Sequence, residues 1–277
     1  MSTDPADHPS SDFTLDWEVV DVPDGSRLTS YWDVEPLCRG PEPVPDWVVL
    51  DRGAVDTDLG VLKTGKEGDV SLLERSGKDG TVVLAAKRYR DQDHRSFRRG
   101  EEYAEGRRVR DSRVTRAIAK GSAFGRAAAA GQWASAEWDQ LKRFWLLGVP
   151  VPYPVQIDGT EILMELVLDE DGAPAPRLAR ERPGHARLAS YFDQLREAMR
   201  AMAEQGWVHG DLSPYNLLAA GDRLVVIDLP QAVDLVANPQ GSEFLLRDCH
   251  HVCAWFAARG LDVDADALFA ELIAAAW

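Results

Sequence analysis

The chain is poor in sulfur, poor in positive charge and without a long apolar run. Only three of its 277 residues are cysteine, Cys38, Cys249 and Cys253. So small and odd a set argues against a disulfide framework and for a reducing compartment. Cys249 and Cys253 fall one helical turn apart in Cys-His-His-Val-Cys, a spacing that invites a metal reading. No second ligand pair stands at a usual distance, and Leu245, Val252 and Phe256 recur on the same helical face, so core packing is the expectation. No stretch of about eighteen apolar residues occurs. Asp4, Asp7 and Asp12 stand where a signal peptide would be basic and then apolar, so a cytoplasmic location without membrane contact is expected. Lys and Arg number 31 against 46 Asp and Glu, a net charge of −15. That balance argues against general nucleic-acid binding.

What is present is enough for a substantial fold. A hydrophobic fraction of 45% with nine Trp suits one large domain or two lobes around a cleft. Charge is distributed unevenly: from Lys87 to Arg126 there are thirteen Lys or Arg against six Asp or Glu. Such an island could dock an acidic or phosphate-rich partner, or be no more than a solvated face. Residues 1–46 hold seven of the sixteen prolines and eleven acidic residues against two basic ones. That composition predicts a largely disordered acidic leader, with Trp17, Val19, Val20, Tyr31 and Trp32 as possible docking points.

The chain is organised around residues 207–231. Asp211 and Asn216 lie in a segment containing Pro214, which reads as a loop, and the apolar run Leu224–Ile227 reads as a buried strand ending at Asp228. A loop and a strand end can present two carboxylates and an amide together. Phosphoryl transfer from a nucleotide needs that set: a carboxylate to orient the attacking hydroxyl, and hard oxygen ligands for magnesium. Asp211 is read as base or orienter, Asn216 and Asp228 as metal ligands, and His-x-Asp-x-x-x-x-Asn with a later strand-end Asp is the spacing of protein-kinase-like folds. The plainer alternative is an Asx turn, a loop amide and a strand cap.

Upstream, Val61–Arg75 and Thr81–Lys87 with their small-residue turns predict three antiparallel strands. Gly65 and Gly68 would let backbone amides approach phosphate oxygens, and Lys87 would reach into a cleft to pair with phosphates. Glu137 lies beside the face formed by Trp133, Trp138, Leu141 and Trp145 on a predicted helix and is a candidate to fix Lys87; the alternative is an exposed helix Glu. Two strands follow Pro150, Pro152 and Pro154; in a two-lobed kinase the second would lead into the hinge, so that backbone groups near Glu165 and Leu166 would contact adenine. Leu188–Met202 has the helix period with Gly206 as a stop. Ser242 is a possible cap for a helix to about Ala258, and a last helix is expected from about Ala265 to Ala276.

With these motifs in order, the sequence resembles the RIO family of atypical protein kinases, its type-one branch more than its type-two, over about residues 60–258. Thr64-Gly-Lys-Glu-Gly-Asp-Val70 is similar to the family's phosphate loop, Lys87 to its strand lysine, and His209–Asn216 to its catalytic loop. Ile227-Asp-Leu-Pro-Gln231 and Phe244–Cys249 are similar to the metal loop and the helix after it, and His94–Phe97, Glu105–Arg113 and Phe124–Arg126 to the type-one insert. The resemblance implies an α+β, two-lobed protein-kinase-like fold: a small antiparallel-sheet N-lobe over 47–167 with a basic insert at 88–126, and a mainly helical C-lobe over 168–277 without an activation segment. It implies ATP and Mg2+ as cofactors, nucleotide contacts at Thr64, Gly65, Lys66, Gly68, Val70, Lys87, Glu137, Glu165, Leu166 and Leu218, and a catalytic set of Asp211, Lys87 and Asp228. Implied acceptors are a protein or the enzyme itself, with Asp228 able to accept phosphate, and a ribosomal or acidic partner would dock at the insert. Pro230 departs toward the type-two branch, and Pro214 replaces an acidic residue. Two alternatives stay open: a small-molecule kinase of the aminoglycoside phosphotransferase type, which shares the His-Gly-Asp-Leu-x-Pro-x-Asn loop, and a nucleotide-gated RNA or protein assembly factor.

Overall fold

Alternation of apolar and polar residues builds the first half of the molecule as a sheet. A computed structural model describes residues 22–65, 68–90 and 123–277. Strands β1 (Ser26–Leu28), β2 (Val55–Thr64), β3 (Gly68–Gly77), β4 (Gly80–Tyr89), β5 (Pro154–Asp158) and β6 (Glu161–Glu165) form one antiparallel sheet in the order β1-β2-β3-β4-β6-β5. The three strands expected from the sequence are β2 to β4, joined by the turns that the glycines announce. Helix α1 (Ala123–Leu146) packs against this sheet through Trp138, Leu141 and Phe144, all buried. Gly148 in a left-handed conformation and then Pro150 end it.

The second half is helical around two short two-stranded sheets. Helix α2 (His185–Glu204) buries Leu188, Tyr191, Leu195, Met199 and Met202 of the set the helical period picks out, with its sixth member, Phe192, partly buried against the core. Strand β7 (Trp207–Val208) pairs with β10 (Val233–Asp234), and β8 (Leu217–Ala220) with β9 (Arg223–Val226). Helices α3 (Gly241–Ala257) and α4 (Ala265–Ala275) close the lobe. Ser242 is not the cap of α3: that position is Gln240, without a side-chain cap bond, and Ser242 lies inside the first turn. Cys249 and Cys253 are buried, free and part of the core, as the apolar face requires. No metal-binding cluster of His, Cys, Asp and Glu occurs among the described residues. No described helix is long and apolar enough to cross a membrane.

The leader needs correction over its described part. Residues 22–46 are docked on the N-lobe: β1 pairs with β2, Tyr31 is buried, and it joins Val48, Leu73, Leu84, Tyr153 and Val155 in a second core. Pro-rich, acidic composition predicts disorder only where apolar anchors are missing, and here Tyr31 and Trp32 supply them. The Trp32 indole donates to the Leu50 carbonyl at 2.7 Å, and Arg39 donates to the carbonyls of Trp32 and Val34, both at 2.9 Å. Gly40 makes the approach possible: its amide donates to the Val155 carbonyl, and a Cβ there would stand 2.1 Å from the Pro154 oxygen. Most of the basic insert, residues 91–122, lies outside the described residues, as do Lys66 and the first part of the leader.

Candidate active site

Strand register puts a lysine on the inner face of the sheet. Val70 of β3 pairs with Lys87 of β4, so both side chains leave the same face. Helix α1 brings Glu137 up to it, 2% exposed rather than lying on an open helix surface. Lys87 Nζ donates to Glu137 Oε1 at 2.7 Å and to Asp228 Oδ1 at 3.1 Å. Tyr89 Oη donates to the other oxygen of Glu137, which fixes the carboxylate at both ends. Burial works against the charge of Lys87, but Asp228 and Glu137 outweigh it and hold the ammonium well above its ordinary pKa. Lys87 in turn keeps Asp228 below the usual carboxylate range.

The opposite wall is built from the loop and the strand end. Asp228 has φ +68, the left-handed conformation that Asp tolerates better than most residues, so the chain turns sharply after β9. His209, buried, lies 3.1 Å through Nε2 from the Ile227 carbonyl and lashes the loop to that turn; burial lowers its pKa, favouring the neutral ring. Asn216 Nδ2 donates to the Asp211 carbonyl at 2.8 Å, and the Ile227 amide to the Asn216 carbonyl at 3.0 Å. Asp211 is half-exposed at the cleft. The amide oxygen of Asn216 and the carboxylate of Asp228 are hard donors on adjoining segments, the pair that magnesium on a nucleotide prefers, so the residues present fit that ion.

Thr64, Gly65, Gly68 and Val70 lie on the β2–β3 hairpin above this wall, closed by the Gly65 amide donating to the Gly68 carbonyl at 2.9 Å. Leu218 is half-buried on β8, below. Glu165 is held through both its backbone and its side chain. Its amide donates to the Tyr153 carbonyl, and its carboxylate accepts from the Tyr153 amide at 3.1 Å and from Arg223 at 2.7 Å. That amide is thus committed within the protein rather than open to adenine; Leu166, next in the chain, is half-buried against the core.

Several participants carry no local sequence signal. Tyr89 is one. Arg90 is another: it donates to the Gly65 carbonyl at 2.8 Å and to Asp69 at 2.9 Å, holding the glycine turn. Asp248 of α3, fully buried, accepts from the amides of Gly210 at 2.8 Å and Leu212 at 2.9 Å, and so grips the chain on both sides of Asp211. Burial pushes its carboxyl up to about 7. Arg247 beside it donates to the Gly210 carbonyl.

A RIO domain family model matches residues 73–268. The chain is 38% identical to the RIO-type serine/threonine-protein kinase Rio1 of Haloferax volcanii over 80% of this chain and 70% of that protein. It is 31% identical to the serine/threonine-protein kinase RIO1 of Caenorhabditis elegans over 78% of this chain and 40% of the relative, and 30% identical to RIO3 of the same organism over 76% and 39%. The chain therefore spans well under half the length of these animal relatives.

Proposed function

Since the chain belongs to the RIO family of serine/threonine protein kinases, we propose that it transfers the terminal phosphoryl group of ATP, with magnesium, to a Ser or Thr hydroxyl of a protein or of itself. The observation that carries this reading is the Glu137–Lys87–Asp228 chain of contacts, which joins the helix, sheet and strand end of both lobes beside Asp211. Lys87 would steady the phosphates, and Asp211 would orient the acceptor hydroxyl and take its proton. Asn216 and Asp228 would hold magnesium, whose contribution is to neutralise phosphate charge. The names of the matched relatives favour a protein acceptor over an aminoglycoside. Action in the cytoplasm, an assembly-linked switch role in ribosome maturation and docking of an acidic partner at the basic insert belong to the same reading.

The test is a magnesium-dependent assay with labelled ATP on the wild type beside Asp211→Ala and Asp228→Ala, following label into protein, into an added aminoglycoside and into free phosphate. We expect label on protein. Asp211→Ala should leave nucleotide binding intact and lower turnover by about two to three decades, while Asp228→Ala should chiefly weaken binding of the metal nucleotide. Equal activity in all three proteins would refute the assignment.

A further inference from the structure

Where the leader docks on the N-lobe it leaves a cavity open against helix α1. The cavity has a volume of about 360 Å3 and is lined by Leu37 and Cys38 of the leader, by Ser135, Trp138 and Lys142 of α1, and by Gly159 between β5 and β6. Its walls are tied together: the Leu37 carbonyl accepts from the Trp138 indole at 3.1 Å and from the Lys142 ammonium at 2.7 Å. Leu37 itself is 80% exposed, so an apolar side chain beside the cavity has nothing laid over it among the described residues. The chain has a segment within reach. Description begins at Val22, with 21 residues before it, and a turn follows at once. The Ser26 amide donates to the Pro23 carbonyl at 3.0 Å, and Gly25 has φ +83, the left-handed third position that a type II turn requires. Such a turn lays residue 22 back beside Arg27, whose guanidinium is paired with Glu161, two residues from Gly159 of the cavity wall. Upstream stand Phe13-Thr-Leu-Asp-Trp-Glu-Val19, in which apolar and polar residues alternate without a break. In extended form that puts Phe13, Leu15, Trp17 and Val19 on one face. Trp17 is five residues from Val22, about 17 Å of extended chain.

We propose that residues 13–19 of the same chain dock at this cavity, with the Trp17 indole seated in it over Leu37 and Trp138, and that the docked segment braces α1. An indole is large enough to fill most of such a space, and its burial would cover the apolar surface of Leu37. The cavity lies on α1 at the turn that carries Glu137, between Ser135 and Trp138 in sequence. A side chain wedged there would hold the helix at the position from which Glu137 reaches Lys87. The leader would thereby act on the nucleotide cleft without entering it.

Cys38 lines the cavity and reports on what covers it. In the full chain, the rate at which an aromatic disulfide reagent modifies Cys38 at pH 8 is compared between wild type and Trp17→Ser. We expect modification about tenfold faster in the variant, as for a contact that is closed about nine-tenths of the time, with Cys249 and Cys253 still unreactive. Equal rates in the two proteins overturn the proposal. Release of all three thiols together overturns it too, by making Trp17 part of the fold rather than of a docked segment. A second arm oxidises Trp17→Cys and Asp7→Cys with oxidised glutathione. The introduced thiol of Trp17→Cys should form a disulfide with Cys38 within one chain, and that of Asp7→Cys should not. Equal cross-linking of both variants, or a disulfide joining two chains, overturns intrachain docking; the second result gives the cavity to another copy. The brace is read separately: Trp17→Ser should raise the KM for ATP about threefold. An unchanged KM beside a freed Cys38 overturns the brace. A protein that consumes no ATP refutes the kinase reading, while the two thiol arms still decide the docking.

Discussion

Glu137 accepts from an ammonium with one oxygen and from a phenol with the other, so its two bonds are unequal in consequence. Glu137→Gln would leave the buried Lys87 with Asp228 alone; the KM for ATP should rise about tenfold in a steady-state titration. Tyr89→Phe keeps the ion pair and removes only its brace, so a change of about twofold to threefold is expected in the same assay. The sign of the pH effect follows from Asp228. Its folded pKa lies below the unfolded one, so its contribution to stability is present above the ordinary carboxylate range and is lost as pH falls through the folded value. Cysteine reactivity gives an independent check on burial. Burial pushes the thiols of Cys249 and Cys253 up to about 12 and about 11, while Cys38 is half-exposed. A disulfide thiol reagent at pH 8 should modify Cys38 alone in the native protein, and all three cysteines in denaturant.

Helix α3 does for the catalytic loop what that loop cannot do for itself. Both oxygens of Asp248 accept backbone amides, and a proton on either weakens one of the bonds. Its pKa near 7 exceeds that of an unfolded Asp, so stability contributed by this group is greatest in acid and declines as pH rises toward 7. Turnover should run the other way, increasing with pH through about 7 as the ionised carboxylate grips the loop. Asp248→Asn should lower kcat by about tenfold or more and flatten that limb of the pH–rate profile. In the β2–β3 hairpin, Gly68 is fixed by its neighbours: a Cβ there would meet the Arg88 carbonyl oxygen at 2.2 Å, which is backbone and cannot swing aside. Gly68→Ala should therefore lower Tm by several degrees and raise the KM for ATP. Asp211, Asn216 and Asp228 were legible in the sequence because they share one pattern of fixed spacing, and Lys87 because it ends an apolar strand that follows the glycine turn. Glu137 was legible because the aromatic face around it sets a helical phase. Arg90 and Tyr89 were not, since each acts on a partner at least 21 residues away through contacts that no local period encodes, and Asp248 stood inside the Phe244–Cys249 block without its grip on the loop being readable.

Two cores, one per face of the sheet, hold the molecule together. The larger joins α1 to the helical lobe, and the smaller is closed by the leader through Tyr31. Tyr31→Ala should cost about 3 kcal/mol in urea unfolding and make the leader more sensitive to limited proteolysis than wild type. Composition misjudged residues 22–46 because it averages over prolines and acids, whereas docking depends on two aromatic rings and one glycine. The strand order and the lobe division could be read because hairpin turns and helix stops punctuate them. The tie between lobes could not. Glu165 sits where β6 ends, one oxygen toward Tyr153 of the sheet lobe and the other toward Arg223 at the start of β9. A single carboxylate thus pins the β8–β9 hairpin of the helical lobe to the sheet lobe, one residue before Leu166 where the chain passes from one to the other.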